Sequence, residues 1–357
     1  MNIEDKRVEN KEAATYFLNN LQNNIYILGS NKYGISMGNW LTSIGKNVIG
    51  YVDDFTDKKE FNGLPVVRSL ADFNSAVIIN CVIEGQSVNV KKLIDKTNAE
   101  KSIDYFSLQF AFPESLLAID YTKGTDDILK LFARYNAIYH KLSDDISKKE
   151  FEAVLNFRLN RDISFMKGFS FKLQDQYFED FILMPAKSIF VDGGGFDGST
   201  SLAFARHYPD YSSIFYFEPT TKSMEISTET LKNTRDVSFY QKGLWKSSET
   251  LRFNSELGNS SHITEIGGDV IEVVAIDDVV DKKVDFIKLD IEGAEKEALE
   301  GSKKIISKYR PVIAVCVYHN QNDFIQIPEY LLTLVPDYKI YFRHYTQGTC
   351  ESVMYFI

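Results

Sequence analysis

A β-rich run closed by glycine and followed by helical spacing occurs twice in this sequence, first at Asn24–Gly29 and again from Ser188 to Gly193. After each opening the chain alternates strand with helix, the signature of a parallel sheet joined by crossover helices. In the first stretch NVIGYVDD (Asn47–Asp54) and AVIINCV (Ala76–Val82) read as further strands, Lys91–Thr97 reads as helical, and the unit ends near Pro113. The second stretch predicts strands at Ser188–Asp192, Ser213–Glu218, Val237–Gln241, Val270–Ile276, Val284–Asp290, Val312–Tyr318, Tyr338–Arg343 and Ser352–Ile357. Helices are expected at Thr200–His207, Ser223–Asn233, Lys296–Lys308 and Phe324–Val335. The last two strands are joined only by Tyr345–Glu351, too short for a crossover, so the final strand is expected to be antiparallel.

Between the two units, from about Thr125 to Met166, apolar residues recur at steps of three and four, as in a helical connector. A chain of 357 residues suits two domains. The expected division is an α/β domain at 1–115, a helical connector at 116–170 and a second α/β domain at 171–357. With 44% hydrophobic and 25% charged residues the chain is globular, and its formal charge of −10 gives no overall pull toward nucleic acid. Cys81, Cys316 and Cys350 show no CxxC spacing, which argues against a disulfide scaffold or structural zinc. The opening MNIEDKRVENKEAAT lacks the apolar core of a signal peptide, and no run of about 18 apolar residues follows, so a cytoplasmic protein without a membrane span is expected. Asn259-Ser260-Ser261 matches a glycosylation sequon, to which that location gives no meaning.

Four elements carry chemistry. The first is FVDGGGFDGST, Phe190–Thr200, in which Gly193, Gly195 and Gly198 satisfy G-x-G-x-x-G between a strand and a helix. Glycine there allows a tight turn and close approach of backbone to ligand. Gly194 adds a further bare position. Asp192 and Asp197 at the same turn would repel a pyrophosphate and attract the cationic amino-acid and sulfonium end of S-adenosylmethionine, so that cofactor is the first reading and NAD the second. The second element is Phe217-Glu218-Pro219. Glu218 lies twenty positions after Gly198, where an acid meets the ribose hydroxyls of a bound nucleoside.

The third is FIKLDIEGAE, Phe286–Glu295, whose strand delivers Asp290 and Glu292 to the crevice beyond the carboxyl ends of the sheet. Acids there can hold a cationic amine, accept a proton or hold a divalent metal. No residue is assigned as a metal ligand from sequence. Glu295 stands in the first turn of the following helix, where the dipole alone favours a carboxylate. The fourth is His319, which ends VIAVCVYH at the same edge and can take a proton from a hydroxyl. His344 is a weaker candidate, and His140, His207 and His262 weaker still.

Together with the terminal RHYTQGTCESVMYFI, these runs resemble the FkbM-type family of S-adenosylmethionine-dependent methyltransferases, over roughly Tyr177 to Ile357. KLDIEGAE, at its distance after FYFEPT, is the most specific part. The resemblance implies a class I methyltransferase fold, with seven strands of which the last is antiparallel, and O-methylation of a hydroxyl on a sugar of a surface polysaccharide or on a secondary metabolite. It implies that Asp192, Gly194 and Gly198 line the methionine end, that Glu218 binds ribose, and that Asp290 and Glu292 face donor and acceptor. The family often has a small residue such as alanine where Gly195 stands, and glycine in its place is expected to loosen the loop without removing it.

The first unit resembles Rossmann-type domains attached to sugar-modifying transferases. Gly29-Ser30-Asn31-Lys32-Tyr33-Gly34 follows a strand, with Asp53 nineteen positions beyond. Asn31 replaces the second glycine of the fingerprint, and no Lys-Ser/Thr follows Gly34, so this is not a P-loop. Two roles stay open for it: a nucleotide-sugar or acceptor site, and a scaffold that supports a homodimer. For the whole chain, an NAD(P)-dependent oxidoreductase of nucleotide sugars and a silent protein that kept the fold are the rivals to methyl transfer.

Overall fold

The computed structural model describes residues 1–21, 24–68, 76–254, 262–263 and 269–357. Asn259-Ser260-Ser261 lies outside them. The chain divides into two compact units that interleave in sequence. The first comprises 1–130, 150–173 and 344–350, and the second 131–149, 174–343 and 351–357.

The first unit holds strands β1 (Ile25–Leu28), β2 (Val48–Val52), β3 (Glu60–Phe61), β4 (Leu64–Val67), β5 (Val77–Asn80) and β6 (Lys101–Asp104) in the order β3-β4-β2-β1-β5-β6. β1 runs parallel to β2 and β5, and β6 parallel to β5. Such central strands are covered on both faces, which is why they read as unbroken apolar runs. Every residue of β5 is buried. β3 and β4 form an antiparallel hairpin turned by Asn62-Gly63, both at positive φ (51° and 75°).

The second unit contains β7 (Ile189–Gly193), β8 (Ser213–Phe217), β9 (Val237–Tyr240), β10 (Gly243–Leu244), β11 (Glu249–Asn254), β12 (His262–Ile263), β13 (Asp269–Val274), β14 (Phe286–Leu289), β15 (Val312–Cys316), β16 (Ile340–His344) and β17 (Ser352–Phe356). Seven of them form the main sheet, in the order β16-β17-β15-β14-β7-β8-β9. β9, β8, β7, β14 and β15 are parallel, and β17 lies antiparallel to β15, in keeping with the short final link. The predicted strand at Val270–Ile276 belongs instead to a second sheet, β10-β13-β11-β12.

The single helix expected over Lys296–Lys308 is two, Glu295–Glu300 and Lys303–Tyr309. They part at Gly301, where a Cβ would stand 2.1 Å from the Trp245 carbonyl oxygen. That contact requires a residue without a side chain and bends the path. Among the described residues no helix is long and apolar enough to cross a membrane.

Register in the main sheet fixes which residues share its carboxyl edge. Asp192 of β7 is level with Lys288 of β14 on one side and Tyr216 of β8 on the other. Gly193 is level with Leu289 and Phe217. The residues just beyond these strand ends therefore emerge together at one edge of the sheet.

Candidate active site

Asp192 and Lys288 are both buried, and their Oδ1 and Nζ atoms lie 3.2 Å apart. Ser201 Oγ, from the helix Ser199–His207, donates to Asp192 Oδ2 at 2.6 Å. Lys288 Nζ also donates to the carbonyls of Gly193 (3.1 Å) and Gly194 (2.7 Å), tying the glycine turn to the neighbouring strand. Burial pushes the Lys288 ammonium toward neutrality, but Asp192 and Asp290 outweigh it and hold the pKa above the ordinary lysine value.

Gly193 closes β7 and Gly198 immediately precedes the helix. Gly194 has φ +71°, and a Cβ there would meet the Asp290 carbonyl oxygen at 1.9 Å. At Gly195 a Cβ would lie 2.0 Å from the Tyr216 ring. In this chain the tyrosine occupies the room that an alanine would need.

Tyr216 Oη donates to the Phe196 carbonyl (3.0 Å), while the Phe196 amide donates to Glu218 Oε2 (3.2 Å). Phe196 itself is left-handed (φ 51°) and its ring is 58% exposed. Asp197 Oδ1 accepts from the Ser199 amide, the first of the helix, at 3.0 Å. Glu218 is buried just past β8, and its Oε1 accepts from the Thr220 amide (2.9 Å) and hydroxyl (2.7 Å). Burial raises its pKa against these three donors.

Asp290, Glu292 and His319 meet beyond the ends of β14 and β15. His319 Nε2 lies 3.5 Å from Asp290 Oδ1 and 3.4 Å from Glu292 Oε2. Its Nδ1 is 2.8 Å from Oε1 of Glu295. Glu295 is thus more than the dipole-favoured surface acid expected from its place in the first helical turn. It is fully buried, its Oε1 also accepts from the Ile291 amide (2.9 Å), and it holds the imidazole. Burial disfavours the imidazolium, but Glu295, Glu292 and Asp290 overcome this and raise the His319 pKa to about 10. The ring is therefore protonated at neutral pH.

Asp290 carries the reverse shift. Burial would raise it, yet Lys288, His319 and the Tyr177 hydroxyl hold it below the usual carboxylate range. Tyr177 Oη donates to Asp290 Oδ2 at 3.0 Å, lies 3.3 Å from Cys316 Sγ, and its ring sits 5.5 Å from Lys288 Nζ. Two more acids stand close. Glu351, bonded by Gln176 (2.7 Å), is raised to about 7 by burial and by Asp290. Asp323 is raised to about 7 by burial and by Glu295.

Sequence reasoning passes over Lys288, Tyr177, Glu351 and the inward role of Glu295. Lys288 is visible as the one charge inside an apolar strand, FIKLD. His344 does not join this group. It is buried against Phe169 in the first unit, and burial with Arg158 and Lys172 lowers its pKa to about 3.

In the first unit's turn, Asn31 Oδ1 accepts from the amides of Tyr33 (3.0 Å) and Gly34 (2.9 Å), and Asn31 Nδ2 donates to the Cys81 carbonyl. Asp53 Oδ2 accepts from the Ser30 amide at 3.0 Å. The donors a phosphate would use at this helix start are thus taken by the chain's own side chains.

Residues 192–345 match the Methyltransferase FkbM domain family. The crystal structure of methyltransferase FkbM from Methylobacillus flagellatus KT is similar over 99% of this chain and 98% of its own, with a TM-score of 0.75 and 22% identity. An rRNA methylase from Streptococcus thermophilus is similar over 48% of this chain and 87% of its own, with a TM-score of 0.33 and 12% identity. No curated protein matches the chain. The glycine turn, the acid after β8 and the carboxylates after β14 all lie within the residues that match the FkbM methyltransferase domain.

Proposed function

We propose that this protein transfers the methyl group of S-adenosylmethionine to a hydroxyl of a sugar or glycan precursor, in the cytoplasm and in the service of surface-polysaccharide synthesis. The observation that carries the donor assignment is the pair of buried acids, Asp192 and Glu218, on either side of the glycine turn. A ligand with a cationic amino-acid end and ribose hydroxyls suits such a place, and a pyrophosphate does not. Gly193, Gly194, Gly195 and Gly198 supply the bare backbone, with Asp197 at the helix start. Glu218 accepts from the ribose, and Asp290 faces the donor's methyl end.

The reaction is an in-line displacement. A lone pair of the acceptor oxygen forms the O–C bond, the C–S bond breaks with its electrons on sulfur, and the hydroxyl proton leaves to a base. Holding the two reactants about 3–3.5 Å apart and aligned supplies much of the acceleration. Because His319 is already protonated, the proton passes to a carboxylate, Asp290 or Glu292, and the imidazolium balances the charge of the two. A cluster rich in acceptors also suits the many hydroxyls of a sugar.

The test is calorimetric titration of the full chain with S-adenosylhomocysteine, with NAD in parallel. The expected result is micromolar binding of the former, weakened about 10–100-fold in Glu218→Ala by loss of a charged acceptor. Binding of NAD without S-adenosylhomocysteine would overturn the reading in favour of redox chemistry.

A further inference from the structure

We propose that Phe196 is a binding residue of the donor site, its ring lying against the adenosine half of the bound donor. That role rests on the methyl-donor reading of the glycine turn. The Gly198 amide donates to the Gly195 carbonyl (2.9 Å), which makes Phe196 the second residue of a four-residue turn. A positive φ at that place is normally left to glycine, asparagine or aspartate. Here φ is +51° and the residue is phenylalanine, whose Cβ crowds the following carbonyl oxygen in the left-handed region. Glycines stand at 193, 194, 195 and 198, yet a bulky side chain occupies a left-handed position among them.

Strain of this kind persists where the surroundings over-determine it, and it collects at ligand clamps. The surroundings are Tyr216 of β8 and Glu218 just past it. Glu218 Oε2 accepts from the Phe196 amide at 3.2 Å, and Tyr216 Oη donates to the Phe196 carbonyl at 3.0 Å. The Tyr216 ring also fills the space beside Gly195, so the turn is held from below at two successive residues.

A second observation is independent of the backbone. Phe196 is 58% exposed, so its own packing repays little of the strain. Single exposed apolar side chains are ordinary. Among the described residues, however, Phe196 is the only exposed large apolar side chain on a left-handed backbone. With its amide and carbonyl both turned to β8, the side chain projects from the turn at the carboxyl edge of the sheet, where the ligand of such a fold lies. The partner of its amide is Glu218, the acid assigned to the ribose hydroxyls, so one hydrogen bond joins the ring's residue to the ribose-binding carboxylate. An aromatic face at that point suits a nucleoside, whose base stacks on such rings.

The test is calorimetric titration of the full chain with S-adenosylhomocysteine, for the wild type and for Phe196→Asn, Phe196→Gly and Phe196→Tyr. Competition by 5′-methylthioadenosine, which lacks the amino-acid end, and thermal melting of the unliganded chains accompany it. Phe196→Asn and Phe196→Gly should bind S-adenosylhomocysteine about 5–100-fold more weakly, the usual worth of a base stacked on an aromatic ring. They should lose affinity for 5′-methylthioadenosine by a similar factor. Both should melt at the wild-type temperature or above it, because asparagine and glycine accept the left-handed backbone. Phe196→Tyr should bind as the wild type does. Wild-type affinity in Phe196→Asn and Phe196→Gly would overturn the inference and leave the donor site standing. Lower melting temperatures in both would overturn it too, by making the ring part of the fold's own packing. Weaker binding of S-adenosylhomocysteine with 5′-methylthioadenosine unaffected would put the ring at the amino-acid end and overturn the adenosine contact. Failure of the wild-type chain to bind S-adenosylhomocysteine at all would sink the donor reading itself, and this inference with it.

Discussion

Asp192 and Lys288 stand level on adjacent parallel strands and meet as a buried ion pair 3.2 Å apart at the base of the glycine turn. Breaking a buried pair from one side leaves the other charge uncompensated, at a cost of about 3–5 kcal/mol. Lys288→Met should therefore unfold at markedly lower urea, and because Lys288 also bonds the Gly193 and Gly194 carbonyls, it should bind S-adenosylhomocysteine more weakly. Pairing Lys288→Met with Asp192→Asn should recover part of the stability and little of the binding. Wild-type stability in the single variant would contradict the pairing.

Gly195→Ala should cost about 1–3 kcal/mol, the usual range for forcing extra volume into a packed place. Its Cβ would lie 2.0 Å from the Tyr216 ring. Combining it with Tyr216→Leu should return stability toward that of Tyr216→Leu alone, as read by thermal melting. An alanine variant as stable as the wild type would show that the ring moves aside freely.

His344 makes acid weaken the fold. Its folded pKa, about 3, lies below the ordinary 6.5, so the unfolded chain binds a proton that the folded chain refuses. The contribution of this group falls as pH drops from 6.5 toward 3, at up to about 1.4 kcal/mol per unit. His344→Gln should flatten that slope in denaturant titrations at pH 7, 6 and 5, whatever it does to stability at pH 7. An unchanged slope would mean that the ring charges in place.

Asn31→Ala should destabilise the first unit by about 0.5–2 kcal/mol, the usual worth of a side-chain cap. Here one oxygen serves two amides, those of Tyr33 and Gly34. Hydrogen exchange at these two amides is the direct measurement, and protection should fall there first.

Much of the architecture is legible in the sequence because parallel strands buried on both faces leave unbroken apolar runs, as in β14 and β15. The motif acids are legible because a strand's carboxyl end is where such a sheet exposes them. What escapes is set by register and tertiary packing. Nothing local says that Lys288 will stand beside Asp192, 96 positions earlier. Tyr177 reaches Asp290 across 113 positions, from a turn just after the short 3-10 helix Leu173–Asp175. Glu295 escapes for a related reason: a first-turn carboxylate usually faces water, and only the neighbouring strand's histidine turns it inward. The β3–β4 hairpin does carry a local signal, Asn62-Gly63, flanked by strands too short to show alternation.

Asn31 changes what the first unit requires of its surroundings. In a cofactor-binding domain of this shape, the opening of the first crossover helix is completed by an anion that must be supplied from outside. Here an amide two residues into the turn completes it from within, and Asp53 secures the preceding amide. The start of that helix is therefore closed by the chain's own side chains, and its first amides stay paired whether or not an anion is at hand.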